Sequence, residues 1–242
     1  MFRGKKAVIF DMDGTLIDSV GIWNEVDRRI LCRYGRKGAD KLTEKQIQQQ
    51  RDKLLRMHRS DVDPYREYYI ELRDLYDFDV PVEEAIKARY DLAQDMLASS
   101  IDYKPGAEKF LKELKCIGYR LAIASTTKRS NMEVYRKRNS SIIRKAAIDD
   151  TFEIVYTRED VKNMKPDPEV YLKVMNVLGI DAEECLIFED SLIGTEAAKA
   201  SGADVAVIYD KYSDGEREHI NELADYVVDD YYKALNVLKN NM

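Results

Sequence analysis

An open, mostly parallel α/β sheet interrupted by a helical insertion is what this 242-residue sequence predicts. Short apolar runs, β-branched in part, recur along the chain, and polar or turn residues follow each, as in buried parallel strands. Helical patterns lie between them, and alternating strands and helices build a parallel sheet. Residues 19–99 break that rhythm with four helical patterns and no convincing strand.

The first apolar run, AVIF at 7–10, ends at Asp11. In the insertion, Val20, Trp23, Val26, Ile30 and Tyr34 share one helical face, and residues 43–57 form a weaker stripe. Tyr65, Tyr68, Tyr69, Leu72 and Tyr76 form a third stripe, read as bundle core, and Val82, Ile86, Tyr90, Ala93 and Leu97 a fourth. Past the insertion, residues 106–117 put Phe110, Leu111 and Leu114 on one face and end at Gly118. Apolar runs follow at 120–125 and 153–156. A helix over 168–178 takes Asp167 as cap and Pro168 as its first residue, with Val170, Val174, Val177 and Leu178 repeating. The run at 185–189, an Ala-rich helix at 192–200, and runs at 204–208 and 226–228 complete the pattern. The expected division is an α/β core of residues 1–17 and 101–242 and a helical insertion of residues 18–100.

Charged residues make up 35% and hydrophobic residues 45%, enough apolar material for a core. With a net charge of -6 and no long Lys/Arg run, no nucleic-acid partner is expected. No apolar stretch suits a signal peptide or a membrane span. Cys32, Cys116 and Cys185 form no metal-binding spacing, so reduced thiols in a cytoplasmic protein are expected. The expected state is a monomer or weak homo-oligomer.

Ligands of open α/β sheets bind outside the carboxyl ends of the strands. The polar residues there are Asp11, Asp13, Gly14 and Thr15 after the first run and Ser125, Thr126 and Thr127 after the second. Lys165 follows the third run after a polar connection, and Glu189, Asp190 and Ser191 follow the fourth. Crowded carboxylates repel one another, and a hard divalent cation removes the conflict. Oxygen ligands select magnesium or calcium. Magnesium commonly takes one or two protein carboxylates and a phosphate oxygen, a count that Asp11 and Asp190 suit. The lysine and a hydroxyl then hold the remaining phosphate oxygens, and backbone N–H groups of residues 12–13 and 126 add donors. These parts suit phosphoryl transfer, with Asp11 attacking phosphorus and Asp13 moving the proton.

FDMDGTLIDS at 10–19, IAST at 123–126, KPDPEVY at 165–171 and FEDSLIGTEAAKASG at 188–202 resemble the four motifs of the haloacid dehalogenase-like superfamily. The helical insertion directly after DGTLIDS resembles the branch containing β-phosphoglucomutases and small sugar-phosphate phosphatases. A lone DxD is weak, whereas DxDGT followed by three further motifs in order is specific. The resemblance implies a Rossmann-like core with an inserted helical cap that closes to exclude water and read the substrate. It implies Mg2+ as cofactor, Asp11 as nucleophile and metal ligand, and Asp13 as acid–base residue and metal ligand through its backbone carbonyl. Ser125 and Lys165, with Thr126, fall on the phosphate, and Asp190 on the metal. Glu189 is either a further metal contact or a structural partner. Met164 departs from the branch's frequent Gly before the Lys-Pro pair.

The expected activity is magnesium-dependent hydrolysis of a small phosphorylated metabolite, with a sugar phosphate first in line. The rival enzyme is a phosphomutase of the β-phosphoglucomutase type. There, a histidine on the first cap helix helps keep water from the acyl phosphate. Trp23 stands at the matching position, as a wall of the substrate pocket or as cap core. A dehalogenase has no evident use for Asp13. A phospho-aspartate receiver domain would carry its acidic pair on an earlier strand and its acceptor on a later one, the reverse of this order. Asp13-Gly14 as a plain turn and Ser125 as a helix cap are the blander readings, though Ser130-x-x-Glu133 is the better capping box. His58 and His219 are expected at the surface. The insertion is basic over 23–59 and acidic over 60–99, which fits two solvated faces; the sharper reading has Arg56 or Arg59 reach over the substrate.

Overall fold

The computed structural model describes residues 1–38, 41–58 and 62–240. Arg59 lies outside the described residues, as does the side chain of Arg56. Two compact units divide the chain, Met1–Ser19 with Ala98–Met242 and Val20–Leu97.

The first unit is a Rossmann-like α/β fold. Its strands are β1 (Ala7–Phe10), β2 (Arg120–Ala124), β3 (Ile154–Tyr156), β4 (Cys185–Glu189), β5 (Asp204–Ile208) and β6 (Tyr226–Val228). All pair in parallel in the order β3-β2-β1-β4-β5-β6. The chain therefore winds outward from β1 in one direction and from β4 in the other. The crevice between β1 and β4 is the topological switch point where such sheets bind ligands. Phe10 is in register with Ile123 on one side and Phe188 on the other, so Asp11, Ser125 and Glu189 emerge together at the carboxyl edge.

Strand residues alternate between two buried faces. Ile9, Ala122, Ile187 and Val205 join a core with Val170, Tyr171 and Val174 of α9 (Glu169–Leu178) and Ala197 and Ala198 of α10 (Leu192–Ala200). Phe10 and Phe188 point the other way and stack with centroids 5.2 Å apart. Phe110 of α5 (Ala107–Cys116) and Tyr231 of α12 (Tyr231–Asn240) cover them, each 5.4–5.9 Å from Phe188. Cys185 is buried in β4, Cys32 and Cys116 are exposed, and all three are free thiols.

Three local expectations are corrected. The helix expected from Pro168 begins at Glu169, with Pro168 in the cap position, and Asp167 Oδ1 accepts from Glu169 N at 2.9 Å. Ser130 forms no capping box, because α6 (Arg129–Lys137) has already begun at Arg129, with Lys128 in the cap position. His219 is exposed, but His58 is half-buried, with Nε2 3.8 Å from Glu71. Helices α7 (Ser140–Ala146), α8 (Ile148–Thr151) and α11 (Arg217–Leu223) add to those read from the sequence, as do α6 and α12.

The second unit holds α1 (Val20–Tyr34), α2 (Glu44–Met57), α3 (Pro64–Tyr76) and most of α4 (Val82–Ser99). Its core joins Ile30, Leu31, Ile47, Leu54, Tyr68, Tyr69 and Leu72, while Tyr65 and Tyr76 pack at the margin. A buried ionic knot lies beside it. Asp27 takes Arg89 Nε at 2.7 Å, Arg51 Nη1 at 3.1 Å and the Tyr69 hydroxyl at 3.3 Å. The Arg89 guanidinium lies 4.6 Å from the Trp23 ring centroid, a cation–π contact that makes Trp23 part of this unit's packing. No described helix is long and apolar enough to cross a membrane.

Candidate active site

The turn after β1 is made by its glycine. Gly14 sits at φ 86°, in the left-handed region a side chain resists, and its N–H donates to Ile17 O at 2.9 Å. The Asp11 N–H donates to Phe188 O at 3.0 Å, which ties the loop to β4. Asp11 and Asp13 are thus presented at the sheet edge on a short turn pinned by backbone hydrogen bonds.

Lys165 reaches this edge from the connection between β3 and α9. Its Nζ donates to Asp11 Oδ1 and to Glu189 Oε1, both at 2.6 Å, and all three side chains are buried. Burial opposes the lysine's charge, but Asp11 and Glu189 outweigh it, so Lys165 titrates above its ordinary value. Burial pushes Asp11 up to about 7; Lys165 opposes that shift, and the Glu189 and Asp13 charges add to it. Asp190 is driven well above the carboxylate range by burial and then by Glu189 and Asp11, although Thr15 Oγ1 donates to its Oδ1 at 2.6 Å.

Asp11, Glu189 and Asp190 each bring a carboxylate oxygen within 4.8 Å of the others, all buried. One lysine does not balance three carboxylates at that spacing, and two of them are protonated more readily than usual. The donors are all oxygen. This set fits a hard divalent cation, which would replace protons with charge.

Glu189 is held from every side. Oε1 also accepts from the Tyr171 hydroxyl at 2.5 Å, and Oε2 accepts from Asp190 N at 3.1 Å and Ser191 Oγ at 3.4 Å. Asp13 is surrounded by hydroxyls. Ser19 Oγ and the Tyr135 hydroxyl donate to Oδ1 at 2.6 and 2.8 Å, and Thr127 Oγ1 donates to Oδ2.

Asp11, Asp13, Ser125, Lys165, Glu189 and Asp190 therefore share one edge of the first unit. Ser125 is buried there, and its Oγ accepts from Thr127 N at 3.2 Å. Thr126 is half-buried beside it. Trp23 belongs to the helical unit. The sequence reading placed Thr127 on this edge without a role of its own and singled out none of Ser19, Tyr135 or Tyr171. Ser19 and Tyr171 lay inside two of the quoted motifs and Thr127 one residue beyond a third. Tyr135 had no local signal, since it meets Asp13 across 122 positions.

A parallel sheet with a carboxylate-and-lysine cluster at its switch point defines a class of α/β enzymes whose chemistry runs at the strand ends. The chain belongs to the haloacid dehalogenase-like hydrolase family, whose pattern matches residues 8–208. It is 30% identical over 201 residues to a phosphorylated carbohydrates phosphatase of Thermotoga maritima, covering 82% of each chain. A bifunctional riboflavin kinase/FMN phosphatase of Arabidopsis thaliana is 28% identical over 83% of this chain, which spans 48% of that longer protein. Among solved structures, a provisionally named beta-phosphoglucomutase from Thermotoga maritima superposes with a TM-score of 0.73 at 28% identity, covering 98% of this chain and 100% of its own.

Proposed function

We propose that this hydrolase is a magnesium-dependent phosphatase of small phosphorylated metabolites, sugar phosphates above all, working through an aspartyl phosphate on Asp11. One observation carries the reading. The Asp11 carboxylate is buried against Lys165, with Asp190 and Glu189 within 4.8 Å and an acid–base candidate, Asp13, two residues away. Similarity to a phosphatase of phosphorylated carbohydrates supports the substrate class.

In this reading Asp11 attacks phosphorus, the bond to the leaving oxygen breaks, and Asp13 gives that oxygen its proton. Water then attacks the acyl phosphate, Asp13 takes its proton, and the bond from Asp11 to phosphorus breaks to release phosphate. Lys165, Ser125 and Thr126 hold the phosphoryl oxygens. Asp11, Asp190 and the Asp13 backbone carbonyl would hold magnesium, which supplies positive charge to the phosphoryl group when bound. Glu189 orients Lys165, because both of its oxygens already accept hydrogen bonds within the protein. Substrate selection is assigned to the inserted helices acting as a cap.

A screen of phosphorylated sugars for phosphate release, with magnesium and then with a chelator, tests the reading. Asp11→Asn is expected to lose several orders of magnitude in turnover while keeping its circular dichroism spectrum. Full activity without metal, or near-normal turnover by Asp11→Asn, would overturn it.

A phosphomutase is the second reading, favoured by the similarity to the beta-phosphoglucomutase structure. Trp23 weighs against it, since indole cannot titrate and offers one donor. β-Glucose 1-phosphate with a trace of glucose 1,6-bisphosphate, followed by ³¹P NMR, separates the two. Free phosphate is expected, and rapid conversion to glucose 6-phosphate would favour the mutase.

A further inference from the structure

We propose that Tyr135 is a positioning residue for Asp13: with Ser19 it occupies Oδ1, leaving Oδ2 as the oxygen that carries the proton. The inference rests on the reading of Asp13 as the acid–base group.

The geometry separates the two oxygens. A carboxylate oxygen offers two lone pairs. Oδ1 already accepts from Ser19 Oγ at 2.6 Å and from the Tyr135 hydroxyl at 2.8 Å. Oδ2 accepts from one donor, Thr127 Oγ1, and keeps a lone pair for a proton in transit. The Tyr135 donor is also firmly placed. Tyr135 is fully buried in α6, which also buries Asn131, Met132 and Val134, so its ring is held by packing. Burial, and then the Asp13 charge, push the Tyr135 phenol well above its ordinary value, which keeps it a donor.

A buried tyrosine that only fills the core also needs a hydrogen-bond partner, so a bare loss of activity would not separate the two roles. The leaving group does. A sugar alkoxide departs only with a proton, whereas nitrophenolate departs without one. With p-nitrophenyl phosphate, Asp13 is needed only for the later hydrolysis of the acyl phosphate. Tyr135→Phe removes the hydroxyl and keeps the ring.

The assay uses the full chain with magnesium, on p-nitrophenyl phosphate and on the sugar phosphate that wild type hydrolyses fastest. Tyr135→Phe is expected to lower kcat on the sugar phosphate about tenfold to hundredfold, a part of what a positioned acid–base group supplies, with KM within about twofold. On p-nitrophenyl phosphate the nitrophenolate burst should keep its wild-type rate while the steady state slows. No loss, or equal losses in the burst and on the sugar ester, would overturn the assignment. Ser19→Ala should reproduce the pattern, and it carries the test if Tyr135→Phe melts more than about 10 °C lower. Asp11→Asn and Asp13→Asn run alongside. An active Asp11→Asn, or an Asp13→Asn that ignores the leaving group, would remove the underlying reading. If both controls behave and Tyr135→Phe matches wild type, only the role of Tyr135 falls.

Discussion

Gly194→Ala looks harmless, even helpful. The residue lies in the first turn of α10, where alanine improves helix propensity by about 1 kcal/mol. The site reverses that expectation. A Cβ at Gly194 would stand 2.1 Å from both Cδ and Oε1 of Glu189, and ordinary contact begins at 3.4 Å, so the carboxylate must retreat by about 1.3 Å. It is 1% exposed and tied to Lys165, Tyr171 and Asp190 N, which leaves it no easy retreat. Overpacking costs about 1–3 kcal/mol, and each charge-assisted bond lost costs about 1.5–3 kcal/mol. With one such bond lost and the helix gain subtracted, the variant should lose about 1.5–5 kcal/mol, or about 3–20 °C in Tm for a chain of this size. Lys165 follows Glu189, and a misplacement near 1 Å is worth about 10²-fold in kcat/KM. Thermal melting and phosphate release measure both effects. A variant with a raised Tm and activity within about twofold would refute the reasoning.

Three further outcomes follow from the same geometry. Because the Asp11 carboxyl is raised from 3.8 to about 7, its stabilising contribution is present below pH 3.8 and lost as pH rises through about 7. The metal-free protein should therefore lose Tm between pH 5 and pH 7, and less so as Asp11→Asn; an equal loss in both would count against the assignment. A cation displaces that proton, so added magnesium should raise Tm more at about pH 8 than at about pH 5, as differential scanning fluorimetry can read. In the helical unit, Asp27→Ala strips a carboxylate from the buried Arg51 and Arg89 and should cost about 3–5 kcal/mol in urea unfolding; a loss under about 1 kcal/mol would show the knot to be incidental.

The strands were legible because a strand buried on both faces needs an unbroken apolar run, and the turn residues behind each run mark its carboxyl end. AVIF, CLIFE and DVAVI are strands as read, and β2 and β3 end or begin one residue inside their expected bounds. The four inserted helices were legible from their stripes. Helices α6 to α8 were not named, since their short lengths give few turns of periodicity. Chain topology put Asp11, Asp13, Ser125, Lys165 and Asp190 on one edge, because residues that follow parallel strands emerge together.

The sequence by itself thus determined the sheet, the insertion and the residues that line the carboxyl edge of the strands, since local pattern and strand direction suffice for these. Tertiary structure decided what surrounds them. Tyr135 meets Asp13 across 122 positions, Thr127 meets it across 114, and Thr15 meets Asp190 across 175. Glu189, open in the sequence between metal contact and structural partner, packs its carboxylate against the bare Cα of Gly194 with both oxygens taken. Side-chain hydrogen bonds act over about 3 Å, and only the folded packing of α6, α9 and α10 against the sheet brings these donors that close.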